Sequence, residues 1–91
     1  MYIMYKENQM KALKFYADWC GPCKMLTKVL EDYKGDVEIQ EINIDNDQEV
    51  AIRYGIRGVP TTVLLNDEGG EVARKVGMMT LADFEKFVSQ Q

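Results

Sequence analysis

The sequence contains no histidine. That absence excludes a Ser-His-Asp triad and the cysteine–histidine pair of thiol proteases, both of which need an imidazole as general base. Only two cysteines are present, too few for a closed structural zinc site, which takes four ligands drawn mainly from Cys and His. No apolar run approaches the ~20 residues of a membrane span. The start, Met1-Tyr2-Ile3-Met4-Tyr5-Lys6, lacks the basic leader and long apolar stretch of a secretory signal. Basic residues are outnumbered eleven to fifteen, for a net charge of −4. That balance argues against nucleic acid as the main partner, since phosphate binding requires a net basic face. The expectation is a soluble, cytoplasmic protein with neither a nucleic-acid nor a membrane partner.

What is present is 91 residues, 46% of them hydrophobic, which is one domain with a small core. No repeat, low-complexity tract or linker divides it, so residues 1–91 are read as a single domain. Ala12 to Ala17 is apolar and aromatic and reads as a strand. After the turn signal Gly21-Pro22, residues Cys23, Leu26, Leu30 and Tyr33 recur on one helical face, with Val29 beside them. Pro22 suits the first turn of that helix and Gly35 its C-terminal cap. Val37 to Ile44 is a second strand. Asn46, three residues before Glu49, reads as the N-cap of a short helix from Asp47 to Tyr54, stopped by Gly55. Thr61 to Leu65 and Glu71 to Val76, joined by Asp67-Glu68-Gly69-Gly70, form a hairpin. Thr80 with Asp83 opens the last helix, whose buried stripe is Leu81, Phe84 and Val88, with Phe87 alongside. The order β-α-β-α-β-β-α places a parallel pair and an antiparallel hairpin in one mixed sheet, with helices on both faces.

The cysteines fall where the first strand passes into the first helix, in Trp19-Cys20-Gly21-Pro22-Cys23. Cys20 lies at the helix N-terminus, where unpaired N–H groups and the helix dipole stabilise a thiolate and lower its pKa. Cys23 lies one turn further in, on the apolar face, and the i, i+3 spacing leaves the sulfurs close enough to bond. A passive disulfide closing so short a loop gains little chain entropy, and in a reducing compartment it does not persist. Half a zinc site completed by a dimer is a further alternative, but no other soft ligand is present. A redox pair fits the position best.

Ala17-Asp18-Trp19-Cys20-Gly21-Pro22-Cys23-Lys24-Met25 resembles the active site of the thioredoxin family. Asn43-Ile44-Asp45, Tyr54-Gly55-Ile56-Arg57-Gly58-Val59-Pro60-Thr61 and Lys75-Val76-Gly77 resemble the same family in the same order. The resemblance runs from about residue 12 to the C-terminus and implies a three-layer α/β/α sandwich with a mixed central sheet and a C-terminal β-hairpin. It also implies a cis peptide bond between Val59 and Pro60, facing the cysteines. Trp19, Gly21, Pro22, Gly58, Val59, Pro60, Val76, Gly77 and Met78 would form the substrate-docking rim, with Met79 a further candidate. The implied activity is reduction of protein disulfides through a Cys20/Cys23 dithiol–disulfide cycle. No cofactor beyond that redox-active disulfide is implied. The implied partners are disulfide-containing proteins and an electron donor, a thioredoxin reductase or a glutaredoxin-like system, acting on a monomer. A glutathione-dependent enzyme, a disulfide isomerase or oxidase, and a non-catalytic binding subunit of a larger enzyme are the alternatives.

The sequence departs from the family in three places. Where the family carries a buried aspartate behind the cysteines stands Lys14, and where it carries a lysine on the neighbouring strand stands Glu41. Lys14 interrupts an apolar strand, and Glu41 shares the alternation phase of Val37 and Ile39. A buried lysine and a buried glutamate are each costly alone and much less so together. The expectation is a buried pair behind the active site, in which Glu41 handles the proton of Cys23; the alternative is that both snorkel to solvent at a sheet end. The candidate catalytic set is therefore Cys20, Cys23, Lys14 and Glu41. Lys28 stands where the family often has a kinking proline, so a straighter first helix is expected. Nineteen residues precede Cys20, so a shortened N-terminus is expected, its usual first helix missing or reduced to a turn near Glu7-Gln9 and an edge strand at Met1 to Tyr5.

Overall fold

The structure, a computed structural model, describes residues 10–91. Seven elements follow in the order β1 (Lys11–Tyr16), α1 (Gly21–Leu30), β2 (Glu38–Asn43), α2 (Gln48–Arg53), β3 (Thr61–Leu65), β4 (Glu71–Val76) and α3 (Leu81–Ser89). The sheet runs β2-β1-β3-β4. β1 and β2 are parallel, in a register that sets Lys14 opposite Glu41. β1–β3 and β3–β4 are antiparallel, and Lys14 also lies opposite Thr62. The edge strand expected at Met1 to Tyr5 and the missing or reduced first helix near Glu7-Gln9 lie outside the described residues.

Alternation along β1 sends its side chains into two separate cores, because successive residues of a strand face opposite ways. Ala12, with Leu64 of β3, joins Leu26 and Leu30 of α1 and Phe84 and Val88 of α3. Leu13 and Phe15, with Val63 and Leu65 of β3, join Ile42 of β2 and are covered by Val50, Ala51 and Tyr54 from α2 and its end. All five residues of β3 and the four central residues of β1 are buried, as strands covered on both faces require.

Several local expectations change. α1 ends at Leu30, before Gly35. Tyr33 lies beyond the helix but still packs edge-on against Phe84, ring centroids 4.9 Å apart, and its hydroxyl accepts the Val37 N–H at 3.2 Å. A Cβ at position 35 would overlap the Tyr33 hydroxyl, so Gly35 is needed for this close approach and not as a helix cap. The N-cap of α2 is Asp47, with no side-chain capping bond. Asn46 is displaced because Asn43 organises the turn instead, its side-chain oxygen accepting from Asp45 N–H at 2.9 Å. Leu81 is only partly buried, so the inward stripe of α3 is Phe84 and Val88. Met79, a candidate for the rim, is 2% exposed and belongs to the core beneath α3.

Other expectations hold. Pro22 lies in the first turn of α1, which runs uninterrupted through Lys28. Thr80 and Asp83 form a reciprocal capping box on α3. In the hairpin, Asn66 accepts the Glu68 and Gly70 N–H groups at 3.0 and 2.9 Å, while Gly69 takes a φ of +88° that a side chain would resist.

Phe84→Ala removes the ring shared by α1, α3 and Tyr33 and is expected to cost about 3–5 kcal/mol. Thr80→Ala, which loses only one side of the capping box, is expected to cost about 1 kcal/mol. Urea denaturation of both variants checks the ranking.

Candidate active site

The end of β1 delivers the chain to the N-terminus of α1, and Cys20 is the N-cap. Its sulfur accepts the Cys23 N–H at 3.1 Å, taking the place an Asp or Ser oxygen usually fills at a cap. A helix N-terminus favours negative charge there, so the backbone is arranged to hold a thiolate. The Cys20 sulfur is joined to Cys23 in a disulfide, with Cα atoms 5.3 Å apart. It also lies 3.7 Å from the Val59 carbonyl oxygen. Both cysteines are buried, among Ala17, Tyr16, Ile44 and Val59.

Opposite them, the peptide bond between Val59 and Pro60 is cis. The turn is tied down on both sides. The Thr61 hydroxyl donates to the Gly58 carbonyl at 2.6 Å, and Gly77 N–H donates to the Pro60 carbonyl at 2.8 Å. Gly77 needs its φ of +99° to make that approach. Around this centre Trp19 is 70% exposed, Val76 66% and Met78 37%. Gly21, Pro22 and Gly58 are exposed, Val59 and Gly77 half-buried, and Pro60 buried as the floor. Trp19 is held by a hydrogen bond from its indole Nε1 to Asp45 Oδ2 at 3.1 Å. Met25, 60% exposed on α1, extends the apolar surface and was legible only as part of the cysteine motif.

Behind the cysteines Lys14 is completely buried. Its ammonium donates to the Thr27 hydroxyl, which in turn donates to the Cys23 carbonyl at 3.0 Å. It lies 3.7 Å from the Glu41 carboxylate and 5.6 Å from the centre of the Tyr16 ring. Glu41 corrects the sequence reading: its side chain is 42% exposed, not buried. β2 is flanked by β1 on one side only among the described residues, so the carboxylate reaches solvent while still meeting the ammonium. Burial lowers the Lys14 pKa below its ordinary value of 10.5, and the charge of Glu41 and its hydrogen bond only partly offset that. Thr27 was missed, although its position four residues after Cys23 puts its hydroxyl over the Cys23 carbonyl. Thr62 was missed too; its hydroxyl is buried with no partner among the described residues.

No cluster of His, Cys, Asp or Glu among the described residues suits a metal ion, and no described helix is long and apolar enough to cross a membrane.

A disulfide-bonded cysteine pair, one member capping a helix at the end of a central strand and the other in its first turn, opposite a cis-proline turn on a three-layer α/β/α fold, defines a thiol–disulfide oxidoreductase. The thioredoxin family model matches residues 2–90. A thioredoxin of Pseudomonas aeruginosa is 40% identical over 78 residues, spanning 81% of this chain and 71% of its own. One of Chlamydia caviae is 41% identical over 81 residues, spanning 86% and 78%. Among solved structures, a thioredoxin variant from Halobacterium salinarum superposes with a TM-score of 0.85 at 38% identity, over 92% of this chain and 75% of that one. The chain belongs to the thioredoxin family and is a protein-disulfide reductase working through the Cys20–Cys23 pair.

The lowered pKa of Lys14 has a consequence for stability. Between the depressed native value and 10.5, the unfolded chain binds this proton and the native protein releases it, so stability rises with pH across that window. Lys14→Met replaces the buried charge with an apolar chain of similar length and leaves Glu41 facing solvent, so no charge is left buried without a partner. Its stability relative to the parent is expected to be greatest near neutral pH and to shrink toward pH 10.5. Urea titrations across that range check it; an offset independent of pH would contradict the buried charge.

Proposed function

We propose that Cys20 is the attacking thiol and Cys23 the resolving thiol of this reductase. The observation that carries the assignment is the cap: the Cys23 N–H points at the Cys20 sulfur. In the dithiol form that N–H and the helix terminus stabilise the Cys20 thiolate. The thiolate attacks one sulfur of a target disulfide, forming a mixed disulfide and releasing the other target sulfur as a thiolate, which takes up a proton. Cys23 then loses its proton and attacks Cys20. The first target sulfur leaves, and the Cys20–Cys23 disulfide forms. Two electrons pass to the target, which gains two protons overall.

The target chain docks on the rim of Trp19, Gly21, Pro22, Gly58, Val59, Pro60, Val76, Gly77 and Met78. The glycines supply backbone groups unobstructed by side chains, and the thioether of Met78 adapts to varied partners. Lys14 and Glu41 manage the proton of Cys23. Glu41 faces both solvent and the ammonium, a position suited to exchanging that proton with water. The protein works as a cytoplasmic monomer, with no nucleic-acid or membrane partner. A thioredoxin reductase or a glutaredoxin-like donor returns it to the dithiol form.

Cys20→Ser is expected to reduce turnover of a disulfide-containing protein to the uncatalysed rate. Cys23→Ser is expected to accumulate a stable mixed disulfide through Cys20, identifiable by mass spectrometry. If the Cys23→Ser protein traps nothing and Cys20→Ser retains activity, the assignment of roles is wrong. Glu41→Gln is expected to shift the pH profile of the resolving step, and an unchanged profile removes Glu41 from proton handling.

A further inference from the structure

Behind the resolving cysteine lies a cation that has no route to solvent of its own. Lys14 is fully buried, and one hydroxyl, that of Thr27, links its ammonium to the Cys23 carbonyl. We infer that Lys14 is a positioning residue whose buried ammonium makes the Cys23 thiol more acidic, so that the resolving step is driven by thiolate stabilisation. The inference rests on Cys23 being the resolving thiol.

The groups around the ammonium support a fixed positive charge. From β2 comes the Glu41 carboxylate, 3.7 Å away. From β1 itself comes the face of the Tyr16 ring, which favours a cation. From α1 come the Thr27 oxygen, as a hydrogen-bond acceptor, and the Cys23 thiol on the same buried face. From β3 comes Thr62, the register partner of Lys14, whose buried hydroxyl has no partner among the described residues. α3 packs on this side of the sheet and turns the apolar residues Phe84, Phe87 and Val88 toward it, with no charged group among them. The Glu41 carboxylate is half in water, where solvent weakens its field, while the Lys14 ammonium is in the low-dielectric interior, where its field reaches further. The net field at Cys23 is therefore positive, and a positive field favours the ionised thiol.

The test isolates Cys23. In a Cys20→Ser background, in which Cys23 is the only thiol, the thiolate is titrated by its ultraviolet absorbance with Lys14 intact and with Lys14→Met. The thiol with Lys14 intact is expected to be about tenfold more acidic, roughly one pH unit. Equal midpoints overturn the inference, and so does a lower midpoint in Lys14→Met. Should the Lys14→Met protein fail to fold, coupling is read from the lysine side, because linkage between two sites is reciprocal. The Lys14 side-chain resonance is titrated in Cys20→Ser and in Cys20→Ser, Cys23→Ser. Its midpoint is expected to be about tenfold higher where the Cys23 thiolate is present, and no difference overturns the inference. A merely structural lysine would leave both titrations unmoved. Because neither titration involves a target, failure here is distinct from failure of Cys23→Ser to trap a mixed disulfide.

Discussion

The hydrogen bond from the Cys23 N–H to the Cys20 sulfur holds the site together. It makes one sulfur of the redox pair the cap of a helix, so that sulfur also satisfies one of the backbone donors that every helix leaves open. For the cap to form, β1 must end where α1 begins, and both ends must be fixed. The Ala12 side of the sheet does this by packing Leu26 and Leu30 of α1 against α3. The Cys20 N–H, bonded to the Ala17 carbonyl at 3.1 Å, closes the turn between strand and helix.

The second constraint comes from the opposite side of the cysteines. The turn before β3 brings Val59 and Pro60 to the Cys20 sulfur, held by bonds from Thr61 and Gly77. The rim is built from segments far apart in the chain: Trp19 before α1, Gly21 and Pro22 in its first turn, Gly58 to Pro60 before β3, and Val76 to Met78 at and just beyond the end of β4. A groove of about 360 Å³ lined by Leu13, Ile42, Val50 and Tyr54 lies over the α2 face and includes neither cysteine. The chemistry is at the strand ends, where the backbone of several elements converges.

The buried charge behind the site shows how topology sets the environment of one residue. Lys14 lies on a strand flanked on both sides and covered by helices on both faces, so its ammonium finds partners only within hydrogen-bond reach. Glu41, its register partner, lies on β2, which has one flanking strand among the described residues, and so reaches water. Two residues directly opposite each other in a ladder therefore differ completely in burial.

The sequence by itself determined the element order, the cysteine pair at the strand–helix junction and the capping box at Thr80. These are local patterns, written in residues within a turn or two of one another. The oddity of Lys14 was also legible, because a charge in an apolar strand is conspicuous wherever that strand lies. Tertiary structure decided the rest. Glu41 shares the phase of buried neighbours, yet whether a strand is central or at an edge depends on sheet order, which alternation does not encode. Met79 reads like its neighbour Met78, but Met79 packs into the core beneath α3 while Met78 stays exposed. Gly35 reads as a helix cap, but its role is set by the Tyr33 ring folding back over it. In each case the deciding contact comes from a part of the chain brought close only by folding.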